Sequence, residues 1–329
     1  MTDQPLRWGL LSTARINDAL ITPLRNSKRN KLVAVASRNQ ATADAYAREK
    51  KIPQAYGSYE ALLADPDVDV IYNPLPNHMH AEWTIKAVEA GKHVLVEKPI
   101  ALSVAEVYAM DAAAKKHNRV VSEAFMYRHH PQTLKVVELV KTGKLGKVQV
   151  VKGCFTAVFT RDNNFRWDPA QGGGALWDVG CYPLSYTRTI LQAEPLEVFA
   201  WQRTGKTGVD ETLVAQMRFA GDIYAQFECS FAIPFRAEME VLGSEGRLVI
   251  PTPFKPGEKE HIHLTRANNA TDTITIKGQE LYSGEVEDMA DAVLLGQPAR
   301  VSLADSRANV AAIQALFESA RTGKPVAIK

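Results

Sequence analysis

Hydrophobic residues in the first third of the chain fall in short unbroken runs, separated by stretches of helical spacing. Residues 6–11, 31–36, 68–72, 93–96 and 120–122 read as strands without polar alternation, the pattern of a sheet buried on both faces. Between them the sequence predicts helices. One starts near Arg15 and is interrupted at Pro23. Others cover residues 40–50, with Asn39 as cap, and 59–64. A further stretch after His78 (Trp83, Ile85, Ala87, Val88) stops at Gly91, and Ser103 caps a helix reaching about Lys116. Unbroken apolar strands separated by helices predict a parallel sheet covered on both faces, over residues 1–123.

From Glu123 onward the alternation stops. One helix over 131–142, closed by Gly143, leads into strands at 148–159, 196–203, 212–219, 224–231 and 237–242. The turn Gly243-Ser244-Glu245-Gly246 leads into another strand at 247–250. Here apolar and polar residues alternate (Val214, Gln216, Arg218), so one sheet face is buried and the other is open or partnered. Closing helices at 283–295 and 303–322 are expected to pack on this second domain, residues 124–329. The predicted class is α/β plus α+β: a dinucleotide-binding (Rossmann) domain, then a domain with an open mixed or antiparallel sheet.

Composition narrows the functional classes. At 329 residues and 46% hydrophobic content the chain can bury two cores without disulfides or metals. A net charge of +2 gives no electrostatic case for nucleic acid or an anionic membrane surface. Cys154, Cys181 and Cys229 share no metal-ligand spacing, which argues against zinc and fits a reducing compartment. The start, Met1 to Pro5, lacks the apolar stretch of a secretory signal, and no run approaches a membrane span. The expectation is a soluble cytoplasmic protein without metal.

The candidate chemistry sits at strand ends. His93-Val94-Leu95-Val96-Glu97-Lys98-Pro99 delivers a carboxylate and an amine where a buried strand stops, and ligands of open parallel sheets bind at carboxyl ends. After the first strand, Ser12, Ala14 and Asn17 occupy the slots where a G-x-G-x-x-G turn would carry glycines. The hydroxyls of Ser12 and Thr13 and the helix-start amides through Ala14, Arg15 and Ile16 still suit an anionic pyrophosphate. Ser37-Arg38 ends the second strand, where NAD enzymes place an acid; a cation and hydroxyl there suit a 2′-phosphate and so NADP, with NAD as the lesser possibility. Pro74, Leu75, Asn77 and His80 follow the 68–72 strand on a proline-fixed path. Asn77 is expected to cap the next helix and His80 to line the crevice, while His78 reads as solvated. In the second domain, Arg166, Trp167 and the run from Gly172 to Tyr182 are dense with reactive types. On a helix, Asp178 and Tyr182 share a face; alone, they read equally as a first-turn carboxylate and a core tyrosine.

Glu97-Lys98-Pro99, Pro76-Asn77-x-x-His80 and Gly172 to Tyr182, in that order, resemble the Gfo/Idh/MocA oxidoreductases across essentially the whole chain. Residues 123–128 and 178–182 are similar to the branch of dimeric dihydrodiol dehydrogenase and NADP-dependent D-xylose dehydrogenase. The resemblance implies that Lys98 reaches the substrate hydroxyl and the nicotinamide ribose, with a cis bond to Pro99. It implies a cofactor contact for Glu97 and Arg166, and another from Tyr282. Tyr182 stands where many members carry histidine, as in the glucose-fructose oxidoreductase branch. Hydride transfer between NADP(H) and a sugar or cyclic diol is then expected, with Tyr182 as acid/base, Lys98 lowering its pKa and Asp178 orienting. Arg128, Phe155, Trp167 and Trp177 are the candidate pocket wall. A reductase of a keto-sugar or imine, or a non-catalytic NADP(H) sensor, are the alternatives. Pairing into a homodimer or homotetramer through the open sheet face is implied by the resemblance alone.

Overall fold

The computed structural model describes residues 4–160 and 164–328. It divides into two units, Met1–Met126 with Tyr282–Arg307, and Tyr127–Leu281 with Ala308–Lys329.

In the first unit the strands are β1 (Leu6–Leu11), β2 (Asn30–Ala36), β3 (Gln54–Tyr56), β4 (Val70–Asn73), β5 (His93–Glu97) and β6 (Val121–Ala124). They pair in parallel in the order β3-β2-β1-β4-β5-β6, the doubly wound order, with the switch between β1 and β4. The crossover helices are α1 (Asn17–Asn26), α2 (Gln40–Lys50), α3 (Tyr59–Ala64), α4 (His80–Glu89) and α5 (Val104–His117). Ser103 and Glu106 close a capping box on α5, and Asn39 caps α2 through the Thr42 amide at 3.1 Å. Two local expectations fail. Helix α1 runs through Pro23 to Asn26, because Leu20, Ile21 and Leu24 bury into the core and outweigh one lost donor. Asn77 does not cap α4; the cap position is Met79, with no side-chain cap, at the end of a tight 3-10 turn over Asn77–Met79.

The second unit holds α6 (Pro131–Lys141), β7 (Val148–Thr156), α7 (Cys181–Leu191), β8 (Glu197–Thr204), β9 (Asp210–Phe219) and β10 (Ile223–Ser230). It continues with β11 (Arg236–Gly243), β12 (Gly246–Ile250), β13 (Lys259–Arg266) and β14 (Thr271–Lys277). With the last strand, β15 at Val326–Ala327, they form a mixed sheet ordered β14-β13-β12-β11-β7-β10-β9-β8-β15. Only the central β7–β10 pair is parallel among the described pairings. Helix α7 packs on β7 and β10 so closely that a Cβ on Gly153 would meet Pro183 and Met239. β13 and β14 escape the sequence pattern because only single alternating residues, such as Ile262, Leu264 and Ile276, are buried among Thr, His and charge.

The expected continuous second domain is interrupted. Helix α8 (Ser283–Leu294) returns to the first unit, where Val286, Met289 and Ala290 join the core of β1 and α1. Arg29 holds it by ion pairs to Glu287 at 2.5 Å and Asp291 at 2.6 Å, and Ser27 donates to Glu287. The final helix, α9 (Leu303–Thr322), begins in the first unit and ends in the second. Among the described residues no helix is long and apolar enough to cross a membrane.

Candidate active site

In the first unit the chemistry gathers on the turn after β5. Val94, Leu95 and Val96 are buried, so the strand is pinned and Glu97-Lys98 emerges at its carboxyl end. The Lys98–Pro99 bond is cis. Tyr72 on β4 donates to Glu97 Oε1 at 2.6 Å, and Glu97 Oε2 accepts the Lys98 amide at 3.3 Å. One residue beyond Pro99, the Ile100 amide donates to the buried Glu123 at 2.9 Å. His80 does not line a crevice. It is wholly buried, with its ring nitrogens 2.7 Å from the Pro99 carbonyl and 2.6 Å from the Leu75 carbonyl. Burial pushes its pKa down to about 4, so the neutral ring donates to one carbonyl at a time. His80 therefore ties the Pro74-Leu75 loop to the lysine turn, and His78 is exposed.

The turn after β1 keeps a glycine's backbone without a glycine. Ser12 has φ +133°, a region that L residues rarely adopt. Its Oγ accepts the Ala14 amide at 3.2 Å and its carbonyl accepts Asn17 Nδ2 at 2.8 Å. Helix α1 begins beyond Ile16 with no side-chain cap; the Asn17, Asp18 and Ala19 amides donate to the Ala14, Arg15 and Ile16 carbonyls of a tight first turn, which leaves the positive end of the helix dipole as its attraction for an anion. Thr13 and Ala14 are half-buried, Arg15 is exposed and Ile16 leans on the core. At the end of β2 Ser37 is buried and Arg38 exposed, its charge felt by Tyr59 on α3. These residues fit a dinucleotide with a charged ribose. Tyr282 precedes α8 and packs on the same core. At the amino ends of the strands a cavity of about 340 Å³ is lined by Lys92, His93 and Arg119. There Lys92 and Arg119 serve backbone carbonyls at helix and loop ends.

In the second unit the triple glycine shapes everything after it. Gly173 and Gly174 donate to the Asp168 and Arg166 carbonyls, each at 2.9 Å. A Cβ on Gly173 would stand 2.6 Å from the Arg166 oxygen, so the close approach is to the chain's own backbone. The helix then opens as a π turn, Leu176–Gly180, before α7 begins. On that turn the buried Asp178 takes Arg166 Nε at 2.5 Å and Nη2 at 3.4 Å. The Arg166 guanidinium also lies 4.8 Å over the rings of both Phe159 and Phe165. The resemblance aims Arg166 at the cofactor; its fork is engaged by Asp178, a pair that the spacing of the two residues does not reveal.

Tyr182 sits in an aromatic box. Its ring centroid lies 5.3 Å from Phe155, 5.5 Å from Phe254 and 5.8 Å from Tyr127, and Phe155 stacks on Phe254. Phe254 has no motif of its own and was invisible in the sequence, while Tyr127 lies within the 123–128 stretch that carried the resemblance but was assigned no role. The two tryptophans stand elsewhere. Trp177 packs on Phe317 of α9, and Trp167 packs on Phe231 while its indole N–H donates to the Thr160 carbonyl at 2.9 Å. Both are as buried as Tyr182 and Phe155, and the ring contacts they make are outside the aromatic box. Arg128 is buried on a short 3-10 turn, Met126–His129, beside Tyr127. Among the described residues no group of three His, Cys, Asp or Glu is placed to hold a metal ion.

A doubly wound sheet with a glycine-conformation turn, and a lysine at a strand's carboxyl end, are the marks of a dinucleotide-dependent enzyme. Residues 6–125 match the oxidoreductase family with the NAD-binding Rossmann fold, and residues 133–249 match the GFO/IDH/MocA C-terminal domain. The chain belongs to the Gfo/Idh/MocA oxidoreductase family. It is 37% identical to a D-xylose 1-dehydrogenase (NADP(+)) of Haloferax volcanii, covering 98% of this chain and 99% of that one. To a trans-1,2-dihydrobenzene-1,2-diol dehydrogenase of Danio rerio it is 33% identical, over 75% of this chain and 74% of the relative. The crystal structure of a 3-ketoreductase from Actinomadura kijaniata with NADP and TDP-benzene superposes with a TM-score of 0.91. That likeness carries 28% identity and covers 96% of this chain and 98% of the other.

Proposed function

We propose that this oxidoreductase moves hydride between NADP(H) and a carbinol or carbonyl carbon of a sugar or cyclic diol. The observation that carries the reading is Lys98, presented at the carboxyl end of β5 on a turn fixed from Tyr72, Glu123 and His80. The nicotinamide supplies or accepts the hydride when bound. The chain's own work is to hold the reacting oxygen and to move one proton. In this reading Tyr182 gives or takes that proton at its phenol oxygen. An ordinary phenol titrates near ~10, and an adjacent ammonium favours its ionised form, the role given to Lys98. Asp178, with its charge shared with Arg166, orients the substrate hydroxyl. Phe155 and Phe254 offer apolar rings to the faces of a sugar or a cyclic diol.

NADP over NAD is supported by the exposed Arg38 beside Ser37, and by the NADP of the Haloferax relative's name. The 3-ketoreductase likeness favours a second reading, in which the same residues run as a carbonyl reductase. Absorbance at 340 nm tests both, with aldoses, inositols and cyclic diols offered with NADP and keto-sugars with NADPH. Turnover of at least one is expected; tight NADPH binding without any turnover would overturn catalysis in favour of a sensor.

The finer expectation on partners is that a second copy pairs on the open sheet face. Trp201, Val214 and Tyr224 stand 61%, 43% and 52% exposed there, and Trp201 lies directly across from Val214. Light scattering of Trp201→Glu against the parent chain tests it, with loss of the oligomer expected. A cytoplasmic location is supported by three buried cysteines, none in a disulfide.

A further inference from the structure

One buried carboxylate of the second unit has no part in the chemistry above. Asp210 opens β9 and is only 3% exposed. Its Oδ2 accepts the Leu176 amide at 2.7 Å. Among the described residues no Lys or Arg forms an ion pair with it, and its hydrogen-bond partner is a backbone group at the start of one helix. That amide is among the four that a helix leaves unsatisfied at its first turn.

Gly174 shows how tightly this joint is built. Its φ of +121° strongly favours glycine, and a Cβ there would stand 2.0 Å from Asp210 Oδ1. The same glycine donates its amide to the Arg166 carbonyl at 2.9 Å. One short stretch thus joins three things: the Arg166 segment, the first residue of β9, and the helical turn two residues ahead of Asp178. The turn runs straight into α7, so displacement at Leu176 carries along the rigid rod to Tyr182.

We propose that Asp210 is a positioning residue of the active site, fixing through the Leu176 amide and its close fit against Gly174 where the Arg166–Asp178 pair and Tyr182 stand. The proposal rests on the assignment of Asp178 and Tyr182 to the chemistry. A misplacement of about 1 Å can cost roughly 100-fold in rate without touching the reacting groups. Substrate recognition by the rest of the site, and dinucleotide binding by the first unit, do not depend on Asp210.

The test compares the parent enzyme with Asp210→Ala and Asp210→Asn. For each, kcat and KM are measured on a substrate that the parent turns over, with NADPH affinity and hydrogen exchange over residues 174–186. Asp210→Ala is expected to lower kcat by about 100-fold, with NADPH affinity kept and faster exchange confined to that helix start. Asp210→Asn keeps one acceptor oxygen and is expected to restore most of kcat. Parent-like kcat and exchange in Asp210→Ala would overturn the proposal, as would an equal rise in exchange throughout the unit. Should Asp210→Ala fail to fold, Asp210→Ser, one atom shorter toward the Leu176 amide, decides. Faster exchange at Leu176 than in Asp210→Asn supports the joint, and parent-like exchange there contradicts it. A parent enzyme inert toward every substrate sinks the functional reading, and hydrogen exchange still judges the hold of Asp210 on the helix.

Discussion

Tyr72 donates its phenol hydrogen to Glu97 at 2.6 Å, one residue ahead of Lys98. The two side chains come from neighbouring parallel strands, β4 and β5. Burial and the Glu97 charge push the Tyr72 phenol far above its usual range, so it stays a donor at any working pH. Removing only the hydroxyl, in Tyr72→Phe, should cost about 1–3 kcal/mol of stability, because a charged acceptor loses its partner. Turnover should fall with it, through a looser Lys98 turn. Thermal melts and kcat measured together check this, and a variant with parent-like values in both would show that the bond supports neither.

Ser12 occupies a backbone conformation meant for glycine. Strain of about 1–3 kcal/mol there exceeds the roughly 0.5–1 kcal/mol entropic cost of a glycine. Ser12→Gly should therefore raise the melting temperature in thermal melts, while taking one hydroxyl donor from the pyrophosphate turn. A lower melting temperature would show that the Oγ bond to the Ala14 amide matters more than the strain.

His93 gives the fold an acid limit. Burial and nearby Arg119 push its pKa down to about 4, and its Nδ1 accepts the Val120 amide at 2.9 Å, which a protonated ring cannot do. The unfolded chain takes up this proton first as pH falls, near 6.5. Stability is thus fully present above about 6.5 and is lost toward about 4, by on the order of 2–3 kcal/mol. His80 titrates in the same direction and window. His93→Gln should flatten part of the slope of unfolding free energy against pH, leaving the share due to His80. An unchanged slope would remove His93 from the acid limit.

Arg38→Ala should weaken NADP binding far more than NAD binding, since a 2′-phosphate loses its cation and a 2′-hydroxyl does not. Titrating both dinucleotides into the variant checks it; equal losses would sink the 2′-phosphate assignment.

The parallel sheet was legible because its strands are unbroken apolar runs, with caps such as Asn39 and Ser103 marking the helix starts. Helix α8 was legible as a helix but not as a member of the first unit. Its apolar stripe says that it packs, and only the Arg29 ion pairs to Glu287 and Asp291 say on what. Lys98, Asp178 and Tyr182 stood out by motif. Phe254 did not, because a lone aromatic in a loop carries no periodicity, and it meets Tyr182 only after the sheet folds. Trp177 shows the converse: next to Asp178 in sequence, it packs its ring toward Phe317 on the folded helix. Ser12 shows a third limit, since a glycine pattern reports residue type while the fold reproduces the backbone angle.

The central claim is that Tyr182 handles the proton of a hydride transfer. Its most direct test is kcat of Tyr182→Phe, followed at 340 nm on the best substrate of the parent enzyme, with NADPH affinity measured alongside. A fall of about two orders of magnitude or more with NADPH affinity kept is predicted. Turnover equal to the parent's would contradict it.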